Sequence, residues 1–260
     1  MSARWSLLPE KTPRSAFGKL VLNEFRLAWR QPGSGWVVGL GLPLLLMVIF
    51  GSIPKLQKHQ ETLGGLTFFD VYVPILIALA IAAIGLFSLP MPLATYREQG
   101  ILRRLSTTPV PPIWVLGAQL VVNLCLAATA IILIMVVGTA GFDLKTPASP
   151  GGFVVAVLLS VVAIFGLGLL IADVARTATG AQALGAASFF PLMFFAELWV
   201  PRQVMPAVLR DISNLSPLGA SVEAIQHLMQ SGFPSATSLL VLAAYAILFC
   251  WLAVRFFGWE

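Results

Sequence analysis

The sequence predicts an all-α integral membrane protein with six transmembrane helices. Of its 260 residues, 58% are apolar and only 10% are charged, and its mean hydropathy is +0.90, whereas about a quarter of the residues of a soluble domain are charged. Six runs without Lys, Arg, Asp or Glu reach about the 20 residues that a helix needs to cross a bilayer. Their polarity does not alternate as in barrel strands, so helices are expected. The runs are residues 35–53, 71–93, 113–140, 153–171, 180–196 and 236–254.

The whole chain, residues 1–260, is predicted to form a single transmembrane domain with both termini in the cytoplasm. Lys and Arg accumulate in the short cytoplasmic loops of membrane proteins, and this topology places eleven of the 16 basic residues on the inner side. The high isoelectric point of about 9.6 therefore reflects topology and attraction to anionic lipid in the bilayer. No nucleic acid is expected as a partner.

Residues 15–31 are predicted to form an amphipathic helix that lies on the cytoplasmic leaflet. Lys19, Asn23, Arg26 and Arg30 follow one another at spacings of four, three and four, so they share one face. Apolar residues line the opposite face, as in helices that lie in the membrane interface.

Glu24 projects from the apolar face of this interfacial helix and has two interpretations. In the first, its carboxylate bends back to the membrane interface, as long charged side chains do. In the second, it pairs with Arg103 or Arg104, since a lone carboxylate against apolar surface is costly. Contacts to neighbouring elements are expected from Glu24, Arg26 and Arg30.

The polar stretch YREQGILRRLSTTPVPP, which separates the second and third runs, is predicted to contain a helix over residues 97–108. On that helix three apolar side chains form one patch, and two arginines seven residues apart lie on another face. These residues are Ile101, Leu102, Leu105, Arg97 and Arg104. The helix ends before the third run at Pro109, Pro111 and Pro112. A helix with one apolar and one charged face favours docking to a cytoplasmic partner.

Residues 206–231 are predicted to form two short external helices between the fifth and sixth runs. Ser216 is a suitable helix cap, with Pro217 in the first helical position. Short helices exist at membrane depth only where protein or a water-filled cavity covers them. A re-entrant hairpin is therefore expected.

No catalytic or metal-binding motif stands out in the sequence. In TPRSAFGKL the Gly-Lys pair is not part of a phosphate-binding loop, because Pro13 and Leu20 stand where that loop needs Gly and Ser or Thr. His59 and His227 lack the spacing of metal ligands, and the six runs lack the ionisable groups that ion-driven pumps place near mid-membrane. We therefore expect no enzyme activity, no metal and no cofactor in this chain.

Two stretches resemble the permease subunits of type-2 ABC exporters, especially the daunorubicin-resistance-like drug permeases. YREQGILRRLSTTPVPPIWVLGAQL is similar to their loop between spans two and three, in which an acidic residue and Gly precede a basic-Leu pair and Thr-Pro. The residues that match are Glu98, Gly100, Arg104, Leu105, Thr108 and Pro109. FFAELWVPRQVMPAVLRDISNLSPLGASVEAIQHL resembles their external segment after span five. The matching residues there are Pro201, Pro206, Ile212 and Pro217.

The resemblance implies a permease that works with separate subunits. It implies two copies of an ABC ATPase, which bind ATP and Mg²⁺, and a second permease copy that completes a homodimer in the cytoplasmic (inner) membrane of a bacterium. The coupling helix of the family, which contacts the ATPase, lies between spans two and three. Carried over to this chain, the coupling residues are Arg97, Glu98, Gly100, Ile101, Leu102, Arg103, Arg104, Leu105, Thr108 and Pro109.

The function that the resemblance implies is ATP-driven export of a hydrophobic or amphiphilic drug, antibiotic or lipid. Glu197 and Trp199, at the outer end of the fifth run, are candidates for the substrate exit. Two alternatives stay open. One is export of a polysaccharide or lipid-linked glycan, and the other is transport by a secondary carrier that needs no ATPase.

Overall fold

A computed structural model of the chain describes residues 13–30, 37–53, 67–101, 113–142, 144, 146–200, 205–230, 233 and 235–256. Throughout these ranges the regular secondary structure is helical, as the predicted all-α class requires. The helices are α1 (Pro13–Arg30), α2 (Leu42–Gly51), α3 (Phe68–Ala83), α4 (Pro90–Glu98), α5 (Ile113–Phe142), α6 (Pro150–Val174), α7 (Ala178–Phe195), α8 (Ala207–Leu215), α9 (Pro217–Gln230) and α10 (Ala236–Phe256). Two π-helical turns, Val37–Gly41 and Ile84–Ser88, precede α2 and α4.

Five helices of the described ranges are long and apolar enough to cross a membrane. One runs from Phe68 to Glu98 through α3, the second π-helical turn and α4, and the others belong to α5, α6, α7 and α10. The helix over Val37–Gly51, in the predicted span 35–53, is shorter. At 1.5 Å per residue it extends about 22 Å, against roughly 30 Å of hydrocarbon core. The described part therefore contains five full-length candidate spans and one shorter apolar helix.

The second span begins earlier and ends later than the predicted range 71–93. At its start, Thr67 and Asp70 form a capping box, in which the Asp70 N–H donates to Thr67 Oγ1 at 3.3 Å and the Thr67 N–H donates to Asp70 Oδ2 at 2.9 Å. Such reciprocal bonds satisfy backbone donors that the first helical turn leaves open. At its end, α4 continues to Glu98, which draws the first residues of the predicted segment 97–108 into the span.

Prolines shape the carboxyl-terminal half of the second span. The Leu89 N–H donates to Ile84 O at 3.0 Å, which is the five-residue spacing of a π-helix. Pro90 and Pro92 follow and lack a backbone donor, so the regular helical bonding pattern cannot continue through them. The wider π-helical turn therefore lies directly before the prolines.

The second span is the central helix of the bundle. Its side chains are buried from Val73 to Leu86, and α3 packs against α2, α5, α6, α7 and α9. Two glycines allow α6 and α7 to approach the π-helical turn at backbone distance. A Cβ atom on Gly168 would collide with Gly85 O, and one on Gly185 would collide with Leu86 O. Small residues at such positions let helices in membranes pack closely.

The helices α8 and α9 lie within residues 206–231, the range of the predicted external hairpin, and α9 lies deep in the protein. Its residues Leu218, Val222 and Ile225 are fully buried, and it packs against α3, α6 and α10. The Ser221 hydroxyl donates to Ser160 Oγ on α6 at 2.7 Å. These three helices cover α9 with protein, which is what the predicted re-entrant hairpin requires.

The N-terminal helix α1 packs on α5. Phe17 contacts Trp114 edge to face, with ring centroids 6.0 Å apart. Leu22 and Phe25 on the other side are exposed by 49% and 44%. The apolar face that was predicted to lie on the bilayer is thus divided, since one strip contacts α5 and the neighbouring strip is exposed.

Candidate functional site

The carboxyl-terminal end of α4 is joined to the end of α6 by Arg97. Its Nη1 donates to Ala172 O at 2.9 Å and to Asp173 O at 2.7 Å, and its Nη2 lies 3.4 Å from Asp173 Oδ1. The last carbonyls of a helix lack intrahelical donors and carry partial negative charge. Arg97 therefore caps the carboxyl end of α6 with a positive charge.

Glu98, the next residue, contacts the beginning of α7. Its Oε2 accepts a hydrogen bond from the Ala178 N–H at 3.0 Å, and the Thr177 hydroxyl accepts from the Gly180 N–H at 3.0 Å. A carboxylate is favourable at the positive, amino-terminal end of a helix. The last turn of α4 thus holds both sides of the turn between α6 and α7, with one charge of each sign.

Gly100 turns the chain after α4. Its φ is +65°, a conformation that costs non-glycine residues energy, and its N–H donates to Arg97 O at 3.0 Å. Gly100 thus separates Arg97 and Glu98, which belong to α4, from Ile101, which is half-buried. The remaining predicted coupling residues lie outside the described ranges: Leu102, Arg103, Arg104, Leu105, Thr108 and Pro109.

Glu24 of α1 lies in a buried polar cluster with Tyr96 of α4 and Gln119 of α5. The Tyr96 hydroxyl is 2.9 and 2.8 Å from the two carboxylate oxygens, and Gln119 Nε2 donates to Oε2 at 2.6 Å. Glu24 is only 5% exposed, so its side chain is enclosed by protein. Arg103 and Arg104, its other predicted partners, lie outside the described ranges.

Burial controls the ionisation of the Glu24 carboxyl. It raises the pKa of this group, and the hydrogen bonds from Tyr96 and Gln119 oppose the rise because they favour the carboxylate.

The other two residues of α1 that were predicted to make contacts, Arg26 and Arg30, are exposed.

An apolar groove of about 420 Å³ lies beside the second span. It is bounded by the first π-helical turn and α2, by the second π-helical turn and α4, and by α7. Its lining residues are Val38, Leu42, Phe87, Met91, Gln182, Ala186, Phe189 and Phe190. Its volume falls within the roughly 300–1,000 Å³ of small-molecule sites.

The two predicted exit residues have different surroundings. Trp199 is 51% exposed and stacks on Phe190 of the groove, with ring centroids 6.2 Å apart. Glu197 is 4% exposed and has a φ of +64°, so its side chain is directed into the protein. Trp199 therefore borders the groove, while Glu197 is enclosed.

Residues 15–229 match the sequence model of the ABC-2 type transporter family. The chain belongs to this family. It is therefore a multi-pass membrane protein and the transmembrane permease of an ABC transporter, and the family implies association with an ABC ATPase. A comparison with curated proteins finds no match.

In this ABC-2 permease, the structure gives Arg97 and Glu98 partners that the sequence did not predict. Both were predicted to face an ATPase, yet their described contacts are with α6 and α7. Asp173, near the carboxyl end of α6, forms the ion pair with Arg97.

Three further polar residues of the permease escaped the sequence predictions: Tyr96, Gln119 and Asn123. Gln119 and Asn123 stand four apart in an otherwise apolar run, so they share one face of α5. This spacing of two polar residues could have predicted a buried polar site on α5. Across the described ranges, no group of three His, Cys, Asp or Glu residues is arranged to hold a metal ion.

Proposed function

We propose that this ABC-2 permease exports a hydrophobic or amphiphilic compound, such as a drug, an antibiotic or a lipid, from a bacterial cell. The observation that carries the proposal is the continuity of one helix. Phe87 and Met91 line the apolar groove, and α4 runs from Met91 to Arg97 and Glu98, the first residues of the predicted coupling segment 97–108. A force applied to that segment would reach the groove through a single rigid element.

Two ATPase subunits would supply that force by binding ATP and Mg²⁺ and contacting residues 97–108 and α1. The close contacts of Arg97 and Glu98 with the α6–α7 turn support this route. A displaced coupling segment would move α4 together with the adjoining ends of α6 and α7. The chain itself would bind no cofactor.

A second copy of the permease would close the groove. Val38, Leu42 and Phe190 line it and are exposed by 42%, 37% and 58%. A homodimer would place two such grooves around one passage, with Trp199 near the outer exit. Glu197, being enclosed, would act there by holding the local backbone.

The lining favours an apolar or amphiphilic substrate over a glycan. Gln182 is the one polar side chain among the described residues that line the groove, and its Nε2 lies 3.2 Å from Met91 Sδ. A sugar chain has many hydroxyl groups, which lose free energy when they are buried without hydrogen bonds. Polysaccharide or lipid-linked glycan export remains the alternative that a transport assay must test.

The arrangement of basic residues supports the predicted orientation. Hydrogen bonds join α1, the end of α4 and the α6–α7 turn, and this region carries Arg26, Arg30, Arg97 and Arg176. Short loops rich in Arg face the cytoplasm. We therefore place this region, and both termini, on the inner side of the bacterial cytoplasmic membrane.

The decisive experiment is transport by inside-out vesicles that contain the permease and its ATPase. A lipophilic fluorescent dye is the probe, and we expect uptake that requires ATP and Mg²⁺. An ATPase variant that cannot hydrolyse ATP is the matched control. Equal uptake without ATP would instead identify a secondary carrier, and ATP-dependent uptake of a glycan but of no lipophilic dye would identify the glycan alternative.

The coupling segment can be tested in the same vesicles. Arg104→Glu combined with Glu98→Ala is expected to abolish ATP-dependent uptake while membrane insertion and yield stay unchanged. A double variant is used because one exposed ionic contact contributes only about 1 kcal/mol or less. Normal uptake by this variant would contradict the assignment of residues 97–108 to coupling.

A further inference from the structure

The buried carboxylate of Glu24 has no positively charged partner among the described residues. Its described contacts are the neutral side chains of Tyr96 and Gln119, and the ion pair formed nearby joins Arg97 to Asp173. A buried charge without an opposite charge is costly even when it is hydrogen-bonded. A cation beside Glu24 would offset this cost.

A second buried group beside Glu24 is the side-chain oxygen of Asn123, which accepts no described hydrogen bond. Asn123 is 1% exposed, and its Nδ2 donates to Gln119 O at 2.8 Å, which fixes the orientation of the amide. Its Oδ1 is buried without a hydrogen-bond partner. Buried acceptors are rarely left in this state. Glu24 and Asn123 therefore both offer oxygen atoms to a donor.

These oxygens border a small cavity of about 40 Å³. Its polar lining residues are Glu24, Ser88, Thr95, Tyr96, Gln119 and Asn123. A single water occupies roughly 10–15 Å³ by the same measure, so one ammonium group with its attached methylene fits. A primary ammonium carries three donors, no acceptor and one positive charge. Water would satisfy the amide oxygen of Asn123 but would leave the charge of Glu24 unbalanced.

The cavity adjoins the apolar groove. Phe87 and Met91 line both spaces, so these two side chains form the wall between them. The methionine side chain is flexible and adapts its shape readily. A molecule with an apolar body and a charged end can therefore occupy the groove and the cavity together when Met91 changes rotamer.

We infer that the cavity is a binding site for the protonated primary amine of a cationic amphiphile whose apolar body lies in the groove. This inference rests on the proposed export function and narrows its substrate class to monocationic amines. The carboxylate of Glu24 balances the charge, while the amide oxygen of Asn123 accepts one N–H. A trimethylammonium group has no N–H to donate and is too bulky for this cavity.

The test uses the permease with its ATPase in lipid nanodiscs and measures stimulation of ATP hydrolysis. The probes are dodecylamine, dodecanol and dodecyltrimethylammonium, which share one hydrocarbon chain. For the unmodified complex we expect the half-maximal concentration of dodecylamine to be about tenfold below that of the other two, as one charge-assisted hydrogen bond provides. Comparing ratios between variants removes the effect of unequal partition into lipid.

Glu24→Gln keeps the size of the side chain and removes its charge. We expect it to abolish the tenfold preference and to leave the response to dodecanol unchanged. Asn123→Leu fills the cavity and is expected to weaken the dodecylamine response alone. Glu223→Gln is the matched control, because this carboxylate accepts from Ser238 Oγ at 3.0 Å, away from the cavity, and it should retain the preference.

The outcomes distinguish the binding site from the export function. Equal weakening of both responses by Glu24→Gln would show a merely structural role and would overturn the amine site. Equal responses of the unmodified complex to amine and alcohol would also overturn it, while leaving the export function intact. A complex that responds to none of the three probes, and that fails to take up dye, would contradict both proposals.

Discussion

Two sides of the last helical turns of α4 differ in how their charges are balanced. On one side, Arg97 and Glu98 meet helix ends of opposite polarity in α6 and α7, and Arg97 also pairs with Asp173. On the other side, Tyr96 meets the carboxylate of Glu24, which has no described cation beside it. Compensated charges stabilise a fixed connection, whereas an uncompensated one favours a ligand.

The largest expected effect comes from reversing the charge on the compensated side. Arg97→Glu places a carboxylate against Asp173 and the carbonyl end of α6, which we expect to destabilise the permease by about 3 kcal/mol. ATP-dependent dye uptake should fall at least tenfold. Thermal unfolding of the purified complex and the vesicle assay measure the two effects.

The charge swap Arg97→Glu with Asp173→Arg separates an internal connection from docking to the ATPase. An internal ion pair predicts partial recovery of both thermal stability and uptake. If Arg97 acted chiefly on the ATPase, the swap would recover neither. Arg97→Lys is the conservative control, since it keeps the charge and loses the two-pronged contact with Ala172 and Asp173.

A smaller effect is expected at the turn that leaves α4. Gly100→Val forces a β-branched residue into a φ of +65°, at a cost of roughly 1–2 kcal/mol. Gly100→Asn should cost less, because asparagine tolerates this conformation better than valine does. The measurement is the ratio of ATP hydrolysis to dye uptake. This ratio should be higher for Gly100→Val than for the unmodified protein. Equal ratios for the two variants would show that the turn does not orient the coupling segment.

Glu98→Gln is expected to weaken the connection to α7 slightly. The neutral side chain still accepts from the Ala178 N–H but loses its attraction to the helix end, which is worth at most about 1 kcal/mol at an exposed site and less in salt. The difference in melting temperature from the unmodified protein should therefore shrink between low and high salt. A difference that does not change with salt would indicate a loss of packing instead.

The smallest effect concerns the uncompensated side. Burial raises the pKa of Glu24 in the folded protein, because the folded state disfavours the charged form of the carboxyl. The free energy of unfolding of the unmodified protein, relative to that of Glu24→Gln, therefore falls as the pH rises from the ordinary pKa range of a glutamate through the raised value. Tyr96 is the other titratable group in this cluster. The melting temperature of the unmodified protein minus that of Glu24→Gln should decrease from pH 4 to pH 8. Dodecylamine should reduce this decrease.

Much of the fold follows from local features of the sequence. The runs without charge at 113–140, 153–171 and 236–254 lie within α5, α6 and α10, because a helix in lipid satisfies its own backbone and needs only apolar side chains. By contrast, the short length of the helix over Val37–Gly51 and the π-helical turn before Pro90 depend on packing against neighbouring helices. Gly168 and Gly185 admit two helices against that turn, and hydropathy contains no information on such contacts.

The candidate site was less predictable than the spans. Phe87 and Met91 are ordinary apolar residues in the sequence, and their shared position between groove and cavity arises from the approach of α1, α5 and α7. Glu24 was recognised as unusual because it interrupts an apolar face. Its partner Gln119 is 95 positions further along the chain, so no local pattern connects the two.

By itself, the sequence determined that this protein resides in a membrane, that its helices cross it several times, and that it resembles an ABC permease. These properties depend on composition and on local motifs, and each segment can be interpreted without knowledge of its neighbours in the folded protein. Only the tertiary structure decided that Arg97 and Glu98 hold the α6–α7 turn and that Glu24 is enclosed without a described cation. Hydrogen bonds and burial depend on distances between remote segments, and those distances exist only after the helices have packed.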